Sequence, residues 1–344
     1  MKRVLLYAFL SLFIISSCKK ESIPSPEKIG SSSTKVAVPT VKNGRLVFAS
    51  NDALLGYIRG LQRMGNKEIL ANNSSARFVS HYDVMNNIPP TEGYTEEQLA
   101  EGNEIYDMYF ANTLNKDREV QISNYIYQAG NDYNFLFFEA DKPLIDQFRR
   151  EIAAGTITLK EGQYIIYKEK ILCHKTVWSC DLYNRISSEQ SGEKVVDATD
   201  NFNNTKRMKS KFWETNWLVY ASNGAETKTQ KKECAWFVCI WNALSSTTVE
   251  VKYNVNFASC MYGGSPCFLA ATQNITGTKT KSNDNNASQI FFNTTGQVGI
   301  TTNGTGSGTS PTGSGASLPM LVWNGKTDHK AVWNGNTKTK TLNW

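Results

Sequence analysis

The sequence predicts an α+β protein: a small N-terminal α+β domain, residues 42–170, followed by a mainly antiparallel, sandwich-like β domain, residues 206–344. Helical patterns with capping residues at their starts occur in the first region and not in the second. The segment Thr247–Phe257 alternates strictly between apolar and polar side chains, which is typical of a half-buried antiparallel strand. Further short apolar runs separated by turn residues surround it, and this spacing favours a sandwich.

The N-terminal domain contains three predicted helices. Ser50 offers an N-cap oxygen to the first, which we expect to end before Gly65. The second begins at Thr95 with the spacing of a capping box, and Pro143 suits the first turn of the third, which ends at Gly155. The predicted strands of this domain are Leu46–Phe48, Val120–Ile126, Tyr133–Phe137, and a hairpin of Ile157–Leu159 with Tyr164–Tyr167.

Asn-Gly pairs mark predicted turns in the β domain. Residues 222–225 include Asn-Gly and predict a hairpin turn between two strands. The stretch Val322–Thr327 is echoed by Val332–Thr337, which predicts two adjacent strands, each closed by an Asn-Gly turn. Besides Thr247–Phe257, the predicted strands are Phe212–Tyr220, Thr227–Trp241, Ile290–Phe292, Val298–Ile300, Met320–Trp323 and Ala331–Trp333.

Three segments are predicted to lie outside the folded elements. Residues 18–41 are rich in Ser, Pro and Lys and should form a flexible tether. Residues 171–205 are expected to be a linker or long loop, since residues 183–206 are polar and poor in large side chains. Residues 301–317 are of low complexity and predict a loop within the β domain.

The N-terminus has the organisation of a signal peptide, residues 1–17. Lys2 and Arg3 precede an apolar run, Val4–Ile15, that is too short to span a bilayer. Residues 15–18, Ile-Ser-Ser-Cys, resemble the lipobox of bacterial lipoproteins, which implies that Cys18 becomes an acylated N-terminus carrying fatty acids such as palmitate. An ordinary signal peptide with a chance cysteine is the alternative. The residues after Cys18 favour the outer membrane as the location. Whether the protein faces the periplasm or the outside stays an open question.

Six cysteines remain once Cys18 is set aside. The cell envelope permits disulfides, and six thiols allow fifteen pairings. Local bridges are expected between the first two and between the last two, whereas the middle two, an odd number apart in one predicted strand, should point to opposite faces. Zinc ligation and a nucleophilic Cys173 are weaker alternatives. The disulfide candidates are Cys173, Cys180, Cys234, Cys239, Cys260 and Cys267.

Aromatic and basic residues of the β domain suggest a binding surface. All eight tryptophans lie in the second half of the chain, and Trp323 and Trp333, beside turns, are the candidates for stacking on sugar rings, although core packing explains most of them. Two runs of basic residues flank the predicted hairpin and could form one patch for an anionic lipid or glycan, or be only a solvated edge. The patch consists of Lys206, Arg207, Lys209, Lys211, Lys228, Lys231 and Lys232.

The chain has no catalytic signature. With 344 residues, 40% hydrophobic and 20% charged, it is not a wholly disordered protein. Metalloprotease, P-loop, EF-hand, dinucleotide-binding and serine-hydrolase motifs are absent from the sequence, so we expect no metal and no cofactor. The predicted function is non-catalytic binding of a glycan or other surface polymer, and nucleic acid is not an expected partner. The alternatives are an envelope enzyme acting on polysaccharide or peptidoglycan, and a structural or assembly subunit; the oligomeric state stays open.

Three patches of the chain carry a family resemblance. These are residues 43–61, 115–128 and 211–222, the last followed by Thr-Lys-Thr-Gln-Lys-Lys. Together with the leader they resemble a group of uncharacterised lipoproteins of Bacteroidota. The resemblance implies an exported, membrane-tethered protein in two parts, and it assigns no functional residues.

Overall fold

The computed structural model describes residues 39–87, 105–160, 163–175, 192–235, 238–261, 268–302, 309–314 and 321–344. All of them belong to one unit, Ser33–Trp344. The α+β class is confirmed, with helices and a mixed sheet in the N-terminal part and large antiparallel sheets after it. None of the helices within these ranges is long and apolar enough to cross a membrane.

Helix α1, Asn51–Leu61, begins where its cap predicts. The Ser50 hydroxyl accepts a hydrogen bond from the Ala53 amide at 3.2 Å, and Leu54, Ile58 and Leu61 form the buried face. The predicted helix from Thr95 falls largely outside the described residues, and only a short helix near its end is seen. The other helices are α2 Asn66–Ser75, α3 His81–Asn86, α4 Met108–Ala111 and α5 Pro143–Ala153.

The N-terminal sheet has seven strands in the order β1-β2-β3-β4-β5-β7-β6. The run predicted as one strand, Val120–Ile126, is two, because the chain turns at Ser123, whose φ is 55°. The predicted hairpin at 157–167 is also wrong, since Tyr164–Tyr167 pairs with the strand that follows it. The strands are β1 Thr40–Lys42, β2 Arg45–Phe48, β3 Glu119–Ile122, β4 Tyr125–Gln128, β5 Tyr133–Phe137, β6 Tyr164–Tyr167 and β7 Ile171–Lys175.

Two antiparallel sheets form the sandwich-like part. One has the order β11-β10-β9-β8, with β14 also paired to β10; the other has the order β13-β12-β17-β18; and β15 pairs with β16 in a separate two-stranded sheet. The strands are β8 Gly192–Asn203, β9 Lys206–Trp217, β10 Tyr220–Ala235, β11 Val238–Ala243, β12 Ser246–Met261, β13 Phe268–Asp284, β14 Asn286–Thr295, β15 Gln297–Thr302, β16 Thr309–Ser314, β17 Leu321–Trp333 and β18 Asn336–Asn343.

Two hydrophobic clusters cover the two faces of β9 and β10. Met208 and Phe212 pack against Val251 and Val255 of β12, between the sheets of the sandwich. Trp213 belongs to a second cluster that includes the buried side chains of α1 and α4. Strands β9 and β10 are therefore buried on both sides. The boundaries of the two domains stay a prediction.

Two segments expected to be irregular contain strands. Within 171–205, the predicted linker, Ile171–Lys175 and Gly192–Asn203 are strands, the second pairing with β9 along most of its length. Within 301–317, the chain at 309–314 pairs back onto β15. Polar and small residues are compatible with strands whose backbone groups are satisfied by a neighbouring strand, so composition alone misled both predictions.

Two predicted turns are also corrected. Residues 222–225 lie inside β10, and the chain reverses instead at Leu218 and Val219, both fully buried. Asn324 and Gly325 lie within β17, whereas Asn334 and Gly335 form the predicted turn, with φ of 48° and 76°. An Asn-Gly pair marks a turn when its residues adopt positive φ, and tertiary packing decided which pairs do so.

Candidate functional site

Most of the predicted basic patch is buried. Lys228 is 1% exposed, and its Nζ donates to Asn86 Oδ1 at 3.2 Å. Lys211 is equally buried and lies 3.6 Å from Glu226 in an ion pair. The prediction of Lys228 as a surface ligand is therefore wrong, because the strand face that carries it packs against the N-terminal part of the protein.

Of the remaining lysines of the patch, Lys209 is also buried, whereas Lys206, Lys231 and Lys232 are half-buried or exposed. Lys231 Nζ forms an ion pair with Glu233 at 2.7 Å, and Lys232 is exposed. Arg207 is mostly buried, and its guanidinium lies over the ring of Trp241, with its carbon 3.8 Å from the ring centroid. The predicted patch is therefore not one surface: Lys231 is salt-bridged at the edge of the sheet, and Lys211 and Lys228 lie on a buried face.

Trp333 lies at one end of the sandwich and is half-buried. Its ring meets that of Phe202 edge-on at 6.0 Å between centroids, and Lys206 Nζ lies 4.9 Å from the centre of its ring. This ring already stacks with a cation, as tryptophan commonly does. The side chain of Trp323 lies outside the described residues.

The cysteines depart from the predicted pairing. Cys234 and Cys239 form a disulfide, because the chain reverses between them and places them directly opposite each other on β10 and β11. Cys173 is a buried free thiol among the apolar side chains beneath α5, and burial raises its pKa. The predicted bridge from Cys173 is therefore wrong. Cys18, Cys180 and Cys267 and the side chain of Cys260 lie outside the described residues.

The outer side of the β13-β12-β17-β18 sheet carries a broad polar surface. Along β12 the inward positions Val249, Val251, Val255 and Phe257 are fully buried, so the alternate side chains point outward. The pairing register places outward side chains of β13 and β17 beside those of β12, and those of β18 beside β17. The resulting polar face consists of Thr248, Glu250, Lys252, Asn254, Asn256, Asn274, Thr276, Thr278, Thr280, Asn324, Lys326, Asp328, Lys330, Thr337, Thr339 and Thr341, all exposed or half-buried.

Asparagine side chains cross three strands at one end of the polar face. Asn256 Nδ2 donates to Asn324 Oδ1 at 2.6 Å. Asn274 Nδ2 lies 2.8 Å from both Asn254 Oδ1 and Asn256 Oδ1. These amides hold one another in place across β13, β12 and β17. We call this group, Asn254, Asn256, Asn274 and Asn324, the asparagine row.

Charges lie at the other end of the polar face. Asp328 accepts a hydrogen bond from the Thr341 hydroxyl at 2.6 Å and pairs with Lys326 at 3.2 Å. The Thr341 hydrogen bond, followed by the nearby lysines, lowers the pKa of the Asp328 carboxyl. Glu250 accepts from Thr280 at 3.0 Å. Positive and negative side chains are both present and are held by hydrogen bonds and an ion pair. The net charge of the face is therefore close to zero.

The polar face presents hydrogen-bonding groups in a regular array. Outward side chains recur about every 6.6–6.8 Å along a strand and about 4.8 Å between strands. Amides and hydroxyls both donate and accept, so the array can bind a partner rich in hydroxyl groups. Within the described ranges, no three His, Cys, Asp or Glu side chains are close enough to hold a metal ion.

Sequence reasoning missed this surface. The signal is the alternation of threonine with lysine or glycine at 276–280 and 337–341, beside the polar alternate positions of Thr247–Phe257. Those patterns identify outward positions on separate strands. These positions form one face only because of the register in which β12 pairs with β13 and β17, and the sequence pattern does not predict that register.

The comparisons with known proteins place the chain near no characterised family. No protein-family model matches it, and no curated protein matches it. Among solved structures, it is similar to a DUF4848 family protein from Bacteroides thetaiotaomicron, at 9% sequence identity and a TM-score of 0.19, over 89% of this chain and 100% of that chain. A likeness at this level transfers neither function nor site residues.

Proposed function

We propose that this protein is a lipid-tethered lipoprotein of a Bacteroidota cell envelope that binds a glycan or other surface polymer without catalysis. The leader with its lipobox-like end supports attachment through Cys18. The residues after Cys18 support a location at the outer membrane. The asparagine row within the polar face supports the binding role. Membrane attachment through the lipid would leave the folded part to act outside the bilayer.

The asparagine row is the observation that carries the proposal. Its four amides are held by one another at 2.6–2.8 Å, so their remaining donors and acceptors are oriented before a partner arrives. Preorganised groups lose less conformational entropy when they bind. A polysaccharide offers repeated hydroxyl groups, which fit amide and threonine side chains in a regular array.

The binding test uses the protein without residues 1–18 on a glycan array and in pull-down with insoluble polysaccharides. We expect binding to at least one polymer and a loss of roughly tenfold in affinity for the double variant Asn254→Ala, Asn256→Ala, since several hydrogen bonds are removed. Asn201→Ala, exposed on β8, is the matched control and should bind like the parent. Binding that is unchanged in the double variant would refute the polar face as the site.

The tether has its own test. Mass spectrometry of the protein from its native membrane should find fatty acids on Cys18 as the first residue, and Cys18→Ser should release the protein into the soluble fraction. An intact thiol at position 18, or cleavage elsewhere, would support an ordinary signal peptide instead.

A further inference from the structure

The charged side chains of the polar face are arranged in opposite pairs. The antiparallel register places Glu250 of β12 directly beside Lys330 of β17, and Lys252 of β12 directly beside Asp328 of β17. Opposite charges at directly paired positions attract each other across a sheet, whereas like charges there would repel. The outward positions along each strand also alternate in sign, so each of these four charges has opposite charges on two sides.

Asp328 is the most closely contacted carboxylate of this group. It accepts from the Thr341 hydroxyl at 2.6 Å, and it lies 3.2 Å from Lys326 Nζ. The pKa of its carboxyl is lowered first by the Thr341 hydrogen bond and then by Lys326 and Lys252, so Lys252 acts on it across the paired strands. Asp328 and Glu250 together offset two of the three lysines on the polar face.

The lysines next to the threonines of β13 and β18 point away from the polar face. Successive side chains of a strand point to opposite sides of its sheet, so the lysines between the outward threonines belong to the inward row. Leu342 marks that row on β18, because it is buried in the core between the sheets. The inward lysines are Lys279, Lys281, Lys338 and Lys340. They add no positive side chain to the outward array.

The shape of the polar face suits an extended ligand. Sites for small molecules are concave pockets that surround most of the ligand. The polar face is instead the open side of a four-stranded sheet, about 14 Å wide from β13 to β18, since neighbouring strands lie about 4.8 Å apart. The residues that define it are Thr, Asn, Lys, Asp and Glu, with no aromatic ring among them. Binding there depends on many hydrogen bonds spread along the ligand.

We infer that the polar face binds an uncharged polysaccharide, several sugar units at a time, and discriminates against acidic polymers. This inference rests on the proposed function and names its class of polymer. A polyanion gains little attraction from lysines that already lie beside carboxylates, and Glu250 and Asp328 repel it. A neutral chain meets no such repulsion, and its hydroxyls can donate to and accept from the threonines and the asparagine row.

Isothermal titration calorimetry on the chain without residues 1–18 tests the class of polymer. The probes are pairs of neutral and acidic polymers of related sugars: dextran with dextran sulfate, hydroxyethylcellulose with carboxymethylcellulose, and galactan with polygalacturonate. We expect a neutral member to bind, with an affinity that changes less than about twofold between about 0.1 M and about 1 M NaCl, because it has no charge for salt to screen. The double variant Asn254→Ala, Asn256→Ala should bind it roughly tenfold more weakly.

Competition then measures whether an acidic polymer reaches the same face. From the parent, the acidic member of the pair should fail to displace the bound neutral polymer. The double variant Glu250→Gln, Asp328→Asn leaves the three lysines without opposite charges, so the acidic polymer should displace the neutral one from it at about 0.1 M NaCl and fail to do so at about 1 M. Asp197→Asn, exposed on β8, removes a carboxylate elsewhere and should behave like the parent.

The outcomes separate this inference from the proposed function. Displacement of the neutral polymer from the parent by its acidic counterpart would overturn the inference, and so would a Glu250→Gln, Asp328→Asn variant that behaves like the parent. Binding of acidic polymers alone would also overturn it. In each of these cases a polymer still binds and the proposed function stands, whereas binding of no polymer at all would overturn both.

Discussion

The Thr227 hydroxyl oxygen lies 2.8 Å from His329 Nδ1 and joins the two sheets of the sandwich. Thr227 donates its single hydroxyl proton to the Glu250 carbonyl at 2.6 Å, so it accepts from Nδ1–H, and the imidazole is the neutral Nδ1 tautomer. Nε2 lies 2.9 Å from the Thr327 hydroxyl. The buried histidine is satisfied on both nitrogens while it is neutral.

This geometry predicts a loss of stability in mild acid. Burial lowers the pKa of His329 from 6.5 to about 4. Between these values the unfolded chain takes up a proton before the folded chain does, so the free energy of unfolding falls as the pH falls through this window, by up to about 3 kcal/mol. Urea unfolding at several pH values from 7.5 to 4 measures the effect.

The His329→Gln variant separates this histidine from other groups. It should be less stable than the parent at pH 7, and its stability should change less between pH 6.5 and 4. Asp328 cannot serve as the control, because its negative charge raises the pKa of His329; Asn201→Ala, exposed on β8, is the control and should keep the parent's pH dependence in that window. A His329→Gln variant with the parent's full pH dependence would contradict the prediction.

Asp107 connects α4 to strand β10, and its removal should be costly. The buried carboxylate accepts from Tyr220 Oη and Ser222 Oγ, each at 2.7 Å, and from the amides of Tyr109 and Phe110. Asp107→Ala leaves these buried donors without an acceptor, so we expect a loss of roughly 2–5 kcal/mol in the free energy of unfolding. Chemical denaturation measures it.

Asp52 is the control for that loss. It is an exposed aspartate in the first turn of α1, and Asp52→Ala should cost less than about 1 kcal/mol. Equal losses in the two variants would argue against the buried network as the cause.

Gly224 should not tolerate a side chain. A Cβ there would lie 2.5 Å from the Gln289 carbonyl oxygen and 2.7 Å from the Trp213 ring. Gly224→Ala should therefore lower the free energy of unfolding by about 1–3 kcal/mol through overpacking. Gly56→Ala, in α1 with nothing within 4 Å, should instead raise it by about 0.5–1 kcal/mol. Thermal and urea unfolding of both variants check the opposite signs.

The disulfide between Cys234 and Cys239 closes a short loop, with a sequence separation of 5. Its removal in the double serine variant should lower the free energy of unfolding by about 2 kcal/mol, because a short loop restricts the unfolded chain only modestly. Mass spectrometry of the native protein after alkylation without reductant should find these two cysteines unmodified. Cys173, buried, should react only after unfolding, and early alkylation of Cys173 would contradict its burial.

Local signals predicted the elements that depend on few neighbours. The Ser50 cap, the start of α5 at Pro143 and the alternation of β12 were all readable, because a cap contacts its own first turn and a half-buried strand shows its two environments in its sequence. The turn at Asn334 and Gly335 was also predicted correctly from a local signal, its Asn-Gly pair. Each feature is determined within a few residues of the chain.

The sequence by itself determined the α+β class and the long alternating strand, and it predicts a lipid anchor at Cys18. Tertiary structure decided which residues are surface. In the sequence, Lys211 and Lys228 have the pattern of outward residues on an exposed strand. They are buried because the N-terminal part covers the second face of β9 and β10. Burial on that side and the assembly of the asparagine row both depend on contacts between distant segments. A pattern of neighbouring residues carries no information about those contacts.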